Sequence, residues 1–410
     1  MLHRALILGG ILLFALNLRS PIVAVAPVLD RIVADVGLGA VSAGLLTSLP
    51  VLAFALTTAV AAGLLGKIGP DFAVGVSLCG IILGVAIRSA GDTVFLFGGT
   101  VLMGFAITLG NVVVPVLIRR NYPPQGRAFV TGLYTAALNV GSMLTLVATV
   151  PVSDAIGWRL GLVSWSALAV GALLVWLLAV GWRKFTRPHA MPRAAAESAP
   201  NTAALELNRR DARSRIYRIL FLSAAFGGQA FSYYSLTAWL PQILGEVSEL
   251  PVAVSSAGSS LFQIFAVVGA LGIPLLARKL PYGAIFLILA GTWALVPTGL
   301  LLAPQLWPLW LSFGGSAQGG TFTVVFIVVV ELARNDGEAG RYSAIVQGIG
   351  YSVAATGPSI LGALNEASGS WIVPIEAIFV AVVVLAAGGV IAARGMRMAT
   401  HRRPLPPEAS

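Results

Sequence analysis

Residues Leu6–Leu29 read LILGGILLFALNLRSPIVAVAPVL, an apolar run with one fixed charge inside it. About 20 consecutive apolar residues suffice for a helix to cross a bilayer, so this stretch predicts a membrane span. Arg19 lies roughly ten residues from the outer end of the run, about 15 Å along a helix axis. A guanidinium at that depth costs about 2.5–3.5 kcal/mol on insertion scales and therefore faces a partner or a wet cavity, not lipid. Asn17 stands two residues before it and Pro21 four residues after Asn17. Proline lacks an N–H, so the Asn17 carbonyl loses its helical donor and is left to a ligand or water. A polar, locally loosened point in a membrane helix marks the centre of a solute site.

Working outward, the same apolar pattern recurs along the whole chain. Of 410 residues 57% are hydrophobic and only 10% charged, the composition of an all-α integral membrane protein and not of a soluble domain. Twelve spans are expected, at 5–30, 41–66, 72–90, 93–118, 128–150, 160–182, 216–243, 252–277, 282–303, 306–332, 342–365 and 371–393. They divide into an N-terminal six-helix bundle (1–182), a polar linker (183–215) that is irregular or carries a short surface helix, a C-terminal six-helix bundle (216–394) and a tail (395–410). The net charge of +10 does not signal nucleic acid, because the basic residues sit in short segments between spans. Apart from Arg19 inside span one, and Arg31, Arg88 and Arg159 on one side, all the Lys and Arg fall on the side of the termini and linker. That asymmetry puts both termini in the cytoplasm of a bacterial inner membrane. The single Cys79 excludes an internal disulfide and reads as a buried packing thiol. The N-terminus has signal-peptide features, but its apolar run is too long and is interrupted by Asn17 and Arg19, so it is expected to be retained.

The two halves repeat. Gly126-Arg127 opens span five, which carries Gly132 and Gly141 and leads to Asp154-x-x-Gly157-Trp158. Gly340-Arg341 opens span eleven, which carries Gly348 and Gly357 and leads to Glu366-x-x-Gly369-x-Trp371. Parallel six-helix repeats joined by a basic linker describe two pseudo-symmetric bundles of the major facilitator (MFS) architecture.

Motifs in both halves narrow this further. They include Asn17-Leu18-Arg19-x-Pro21, the string Gly44–Leu52 (GLLTSLPVL), Gly110-Asn111-Val112-Val113-Val114-Pro115 and Thr131-Gly132-x-Tyr134-Thr135. Gly157-Trp158-Arg159, Trp239-Leu240-Pro241, Gln318-Gly319-Gly320, Gln347-Gly348-x-Gly350-Tyr351 and Gly357-Pro358 follow. On these the chain resembles the cyanate/nitroimidazole (CynX/NimT) transporter family of the major facilitator superfamily. The resemblance implies transport of a small solute by alternating access, with helices one, four, seven and ten around the cavity. It departs from the superfamily in the loop between spans two and three, where only Gly63-Leu-Leu-Gly66-Lys67-Ile-Gly69 remains of the usual charged motif. The usual ionic latch on the inner side is therefore not expected in its ordinary form. The Gly-Pro signature common in helix five of drug–proton antiporters is also missing.

The polar residues at membrane depth are the candidates for solute contact: Arg19, Asn17, Asn111, Tyr134, Gln229, Tyr233, Tyr234, Gln318, Gln347 and Tyr351. Asn111 and Pro115 repeat the Asn17–Pro21 spacing, while Gln229 with Tyr233 and Gln347 with Tyr351 are four apart and share helix faces. Asn111, Gln318 and Gln347 serve either as ligand contacts or as interhelical bonds. The acids Asp30, Glu331, Glu366 and Glu376 all lie toward span ends, so no mid-membrane carboxylate is placed to neutralise Arg19. A bare guanidinium attracts an anion, and the tyrosines supply aromatic walls. Secondary active transport of a cyanate-like anion or small weak acid is expected, with export of neutral nitro-heteroaromatic or drug-like compounds as the alternative. Protons are the candidate coupling ion, with Glu331 or Glu376 as a carrier or the solute entering as its neutral acid, and outward transport is the third alternative; Glu331 also reads as a loop partner for Arg334. No metal-ligand cluster, nucleophile–base set or cofactor motif is present, which excludes an enzyme, and the chain is expected to act as a monomer in the lipid bilayer.

Overall fold

The structure, a computed structural model, describes residues 2–190, 202–250 and 252–397. It is built of helices arranged as twelve spans. The first, α1, is assembled from Leu2–Asn17, Ser20–Val23, a 3-10 turn at Ala26–Val28, and Leu29–Val36. The others are α2 (Ala40–Ile68), α3 (Pro70–Ala90), α4 (Thr93–Asn121), α5 (Pro124–Ile156) and α6 (Trp158–Ser164 and Ser166–Val180). The second half comprises α7 (Thr202–Val247), α8 (Val252–Ala277), α9 (Tyr282–Leu302), α10 (Trp307–Leu332), α11 (Asp336–Ser368) and α12 (Ile372–Ala392). Ten of the twelve are long and apolar enough to cross a membrane by length and composition. The remaining two, α7 and α11, carry the Gln229–Tyr233 and Gln347–Tyr351 pairs, which lowers their hydropathy.

The interruption of α1 falls where Pro21 predicts it. The first segment ends at Asn17 and the next begins at Ser20 with Pro21 in its first turn. Two expectations are corrected. The linker has a short helix, Trp182–Thr186, as its reading allowed, but its last part is helical and continuous with α7, which spans 46 residues. Residues 202–215 are polar, and a helix without an apolar stripe leaves no periodic signal. Residues 191–201 of the linker and 398–410 of the tail lie outside the described residues. Cys79 is exposed and not buried, on the outer face of α3, where lipid in place of water surrounds the thiol.

Alternation of the helices brings both termini and the linker to one end, the linker end. There the His189 N–H donates to Ile68 O (3.1 Å) and the Tyr282 N–H to Met396 O (3.2 Å). The apolar packing divides the molecule along this axis. One cluster at the linker end mixes residues of both halves, among them Phe14, Phe54, Val113, Tyr134, Phe226, Phe286, Phe326 and Tyr351. At the far end the halves have separate cores, one around Val25, Ile32, Leu46, Leu96 and Leu162, the other around Leu240, Phe262, Trp293, Leu361 and Ile375. The two bundles are thus fused at the linker end and packed independently beyond it.

The glycine repeat appears in this packing. A Cβ on Gly132 would come within 2.9 Å of Ala270 O, so α5 touches α8 of the other half there; Gly348 of α11 also faces the other half, at Thr58 of α2, but a Cβ there would stand in ordinary contact with the threonine side chain at 3.7 Å. One Cβ at Gly141 would sit 2.6 Å from Leu16 O, and one at Gly357 would sit 3.1 Å from Phe231 O. The first glycine of each pair faces the opposite half, with the approach requiring glycine at Gly132, and the second lets its helix approach the first helix of its own half.

Candidate functional site

Arg19 lies at the level where the shared core gives way to the two separate ones. Leu18 belongs to the shared cluster and Ala24 to the far-end cluster of the first half. The break after Asn17 turns the Arg19 side chain toward the seam between halves. Its Nη1 donates to Asn139 Oδ1 on α5 at 3.0 Å. Its guanidinium stands 5.5 Å from the ring centroid of Tyr233 on α7 and 5.1 Å from that of Phe322 on α10. The titratable groups within its electrostatic reach are Tyr233, Tyr234, Tyr351 and Tyr134. No carboxylate among the described residues makes an ion pair with it. Arg19 nevertheless keeps part of its surface accessible.

These contacts explain how a charge is held there without an acid. The insertion cost is about 2.5–3.5 kcal/mol. A hydrogen bond from a charged group contributes about 1.5–3 kcal/mol, and each cation–π contact about 0.5–2 kcal/mol. The protein therefore offsets the cost with neutral groups, which leaves the charge itself available to attract a ligand. A guanidinium has five N–H donors and only one of the bonds here goes to a side chain.

The aromatic groups form a continuous wall. Tyr233 and Tyr234 are edge to face at 5.0 Å, Tyr234 and Tyr351 at 6.3 Å, and Tyr351 packs on Phe226 (5.2 Å) and Phe54 (5.0 Å). Gln263 Nε2 donates to Tyr233 Oη at 3.1 Å, which fixes that ring. Tyr134 is buried with its hydroxyl unbonded. Asn17, also buried, donates to Leu13 O at 2.7 Å, and its Oδ1 has no partner.

The other expected contacts sit apart from this group. The freed carbonyl of Asn111 is taken by Gln347 Nε2 at 3.2 Å, across the halves, and Gln347 also donates to Ser343 Oγ at 2.7 Å. That pair acts as an interhelical bond. Gln318 is fully buried one turn before Phe322, with neither amide atom bonded. Gln229 is buried one turn before Tyr233 and makes no side-chain bond to Arg19. Sequence reasoning passed over Asn139 and Phe322. A signal for the first existed, since Thr131, Thr135, Asn139, Ser142, Thr145 and Thr149 form a polar stripe at helical spacing, all buried.

The linker end holds the halves together with charge. Arg119, at the end of α4, donates to Val330 O at 3.1 Å and to Arg334 O, and its Nε lies 3.9 Å from Asp336. Arg120 pairs with Asp71 inside the first half. A latch is thus present, built from α4 and the carbonyl end of α10 in place of the motif the loop lacks. At the far end the ion pairs among described residues stay within one half: Arg31 with Asp154 (2.6 Å) and Arg159 with Asp35. Glu331, read as a partner for Arg334, accepts instead from Tyr282 Oη at 2.7 Å, while Arg334 pairs with Asp211.

A model of the Major Facilitator Superfamily matches residues 7–358. The chain is 30% identical over 397 residues to the 2-nitroimidazole transporter of Escherichia coli (strain K12), covering 96% of each chain. It is 27% identical over 379 residues to the cyanate transport protein CynX of the same organism, covering 88% of this chain and 90% of that one. Among solved structures, the proton:xylose symporter XylE bound to 6-bromo-6-deoxy-D-glucose aligns with a TM-score of 0.71 at 13% identity, over 95% of this chain and 94% of that one.

Proposed function

The chain belongs to the Major Facilitator Superfamily as a CynX/NimT-like transporter of small solutes and not an enzyme, and from that premise we propose that its solute is a small anion or weak acid bound at Arg19. The observation that carries this is a partly accessible guanidinium between the halves, bonded to Asn139 and faced by aromatic rings, with no carboxylate paired to it among the described residues. Its planar fork matches a carboxylate or a linear cyanate-like anion, and the rings of Tyr233, Tyr234, Tyr351 and Phe322 are grouped around it. Asn17, Tyr134, Gln229 and Gln318 are assigned as reserve polar contacts reached when the halves move.

Transport follows by rocking of the halves about this point. The basic linker end is assigned to the cytoplasm by its excess of Lys and Arg. We assign the arrangement fused at the linker end as the outward-facing one, in which the solute reaches Arg19 from outside. Entry of a monovalent anion against an inside-negative potential costs about 2.3 kcal/mol per 100 mV. We assign the compensating proton either to the solute, taken up as its neutral acid, or to Glu331.

A second reading has its own support. The ring cluster around Tyr234 and Tyr351 suits a flat neutral heteroaromatic, the class named for the 2-nitroimidazole relative. A thermal-shift screen of purified protein with cyanate, small carboxylates and 2-nitroimidazole separates the two, because a specific ligand stabilises by mass action. Anions are expected to stabilise the wild type and to lose at least tenfold in affinity with Arg19→Lys. Stabilisation by 2-nitroimidazole alone, unchanged by the substitution, would overturn the anion reading.

A further inference from the structure

We infer that Arg88 is a positioning residue for the central site, holding the break in α1 in the conformation that presents Arg19. The inference deepens the reading of Arg19 as the solute contact and rests on it. In the sequence Arg88 groups with Arg31 and Arg159 among the charges of the far side. It is instead 1% exposed and one of the largest fully buried side chains. Its Nη1 donates to Pro21 O at 2.7 Å and lies 3.7 Å from Met103 Sδ. Its Nε and Nη2 have no partner, and no carboxylate among the described residues pairs with it. A buried charge with unmet donors is destabilising, so its one strong contact carries the reason for its presence.

That contact answers a specific deficit. In a continuous helix Pro21 O would accept from the Val25 N–H. Here the Val25 N–H turns to Ile22 O at 3.5 Å, a poor bond, so the Pro21 carbonyl is orphaned. Pro21 itself has no N–H for the Asn17 carbonyl. Arg19 sits between these two defects, and Arg88 supplies a donor from α3 to the second. The anchor for that donor is firm. A Cβ on Gly99 of α4 would stand 2.7 Å from Arg88 Cα, so the two backbones are in direct contact. One guanidinium meets the solute; the other fixes the backbone that carries it, and adds a second unneutralised charge nearby.

Hydrogen exchange on the purified protein tests this without a ligand. Arg88→Met is expected to speed exchange in residues 18–25 at least tenfold while peptides of α8–α12 stay unchanged. Arg88→Gln, which keeps a donor without the charge, is expected to stay near wild type and serves if the first variant does not fold. Unchanged exchange at 18–25 with Arg88→Met, or a uniform rise across the first half, would each overturn the inference. Affinity for cyanate and 2-nitroimidazole, measured on the same variants, is expected to fall with Arg88→Met. If neither solute binds the wild type, the reading of Arg19 fails, while the exchange comparison still decides whether Arg88 holds the break.

Discussion

Replacing Arg119 with glutamine should unlock the linker end. Its guanidinium reaches from α4 to the last carbonyls of α10, where the negative end of the helix dipole gathers. The bond to Val330 O is partly buried, and a hydrogen bond from a charged group is worth about 1.5–3 kcal/mol. The bond to Arg334 O and the 3.9 Å approach to Asp336 are more exposed and together add about 0.5–1 kcal/mol. The loss of about 2–4 kcal/mol falls only on the arrangement closed at this end. At tenfold per 1.4 kcal/mol the open arrangement should gain roughly 30- to 700-fold in relative population. Spin labels at Lys67→Cys and Arg341→Cys in a Cys79→Ser background read the separation, since both positions are exposed beside the α2–α11 seam. The wild type should give one short distance, and Arg119→Gln should add a longer one. Gln347→Leu removes a bond worth about 0.6 kcal/mol and should shift the balance only about threefold. An unchanged distance distribution with Arg119→Gln, or a larger shift with Gln347→Leu, would refute the assignment of the latch.

Asn139→Leu removes the side-chain acceptor of Arg19 and should weaken anion binding by calorimetry about tenfold, the low end for a bond to a charged group. Unaltered affinity would show that the orientation of Arg19 does not depend on α5. Glu331→Gln should flatten the pH dependence of uptake while leaving solute exchange between filled vesicles intact. Retained pH dependence would assign the proton to the solute itself.

The hydrophobic runs made the number and order of the helices legible, because burial in lipid demands long apolar segments and little else does. The repeat was legible through the spacing of Gly132, Gly141, Gly348 and Gly357, and at Gly132, Gly141 and Gly357 close helix contact tolerates few other residues. Arg19 and its tyrosines stood out as polar atoms at membrane depth. Arg88 did not, for it lies two residues from the end of its helix, where sequence position alone cannot separate a loop charge from one folded inward. Asn139 was hidden because its partner is 120 positions away. The polar front of α7 was hidden because its helicity needs no apolar face. The Asn111–Gln347 bond was half legible: the spacing to Pro115 predicts a free carbonyl, but only packing of the halves chooses what fills it.

The segment that joins the halves is moored at both of its ends, each to a different bundle. His189 is bonded to Ile68 at the base of α2, while Arg215 and Asp211 engage Glu338 and Arg334 beside α11. With each end held by its own bundle, the shared core and the Arg119 bonds to Val330 O and Arg334 O join the bundles without covalent continuity from 190 to 202. Two fragments produced separately and divided within that interval should find each other in the membrane and function as one carrier.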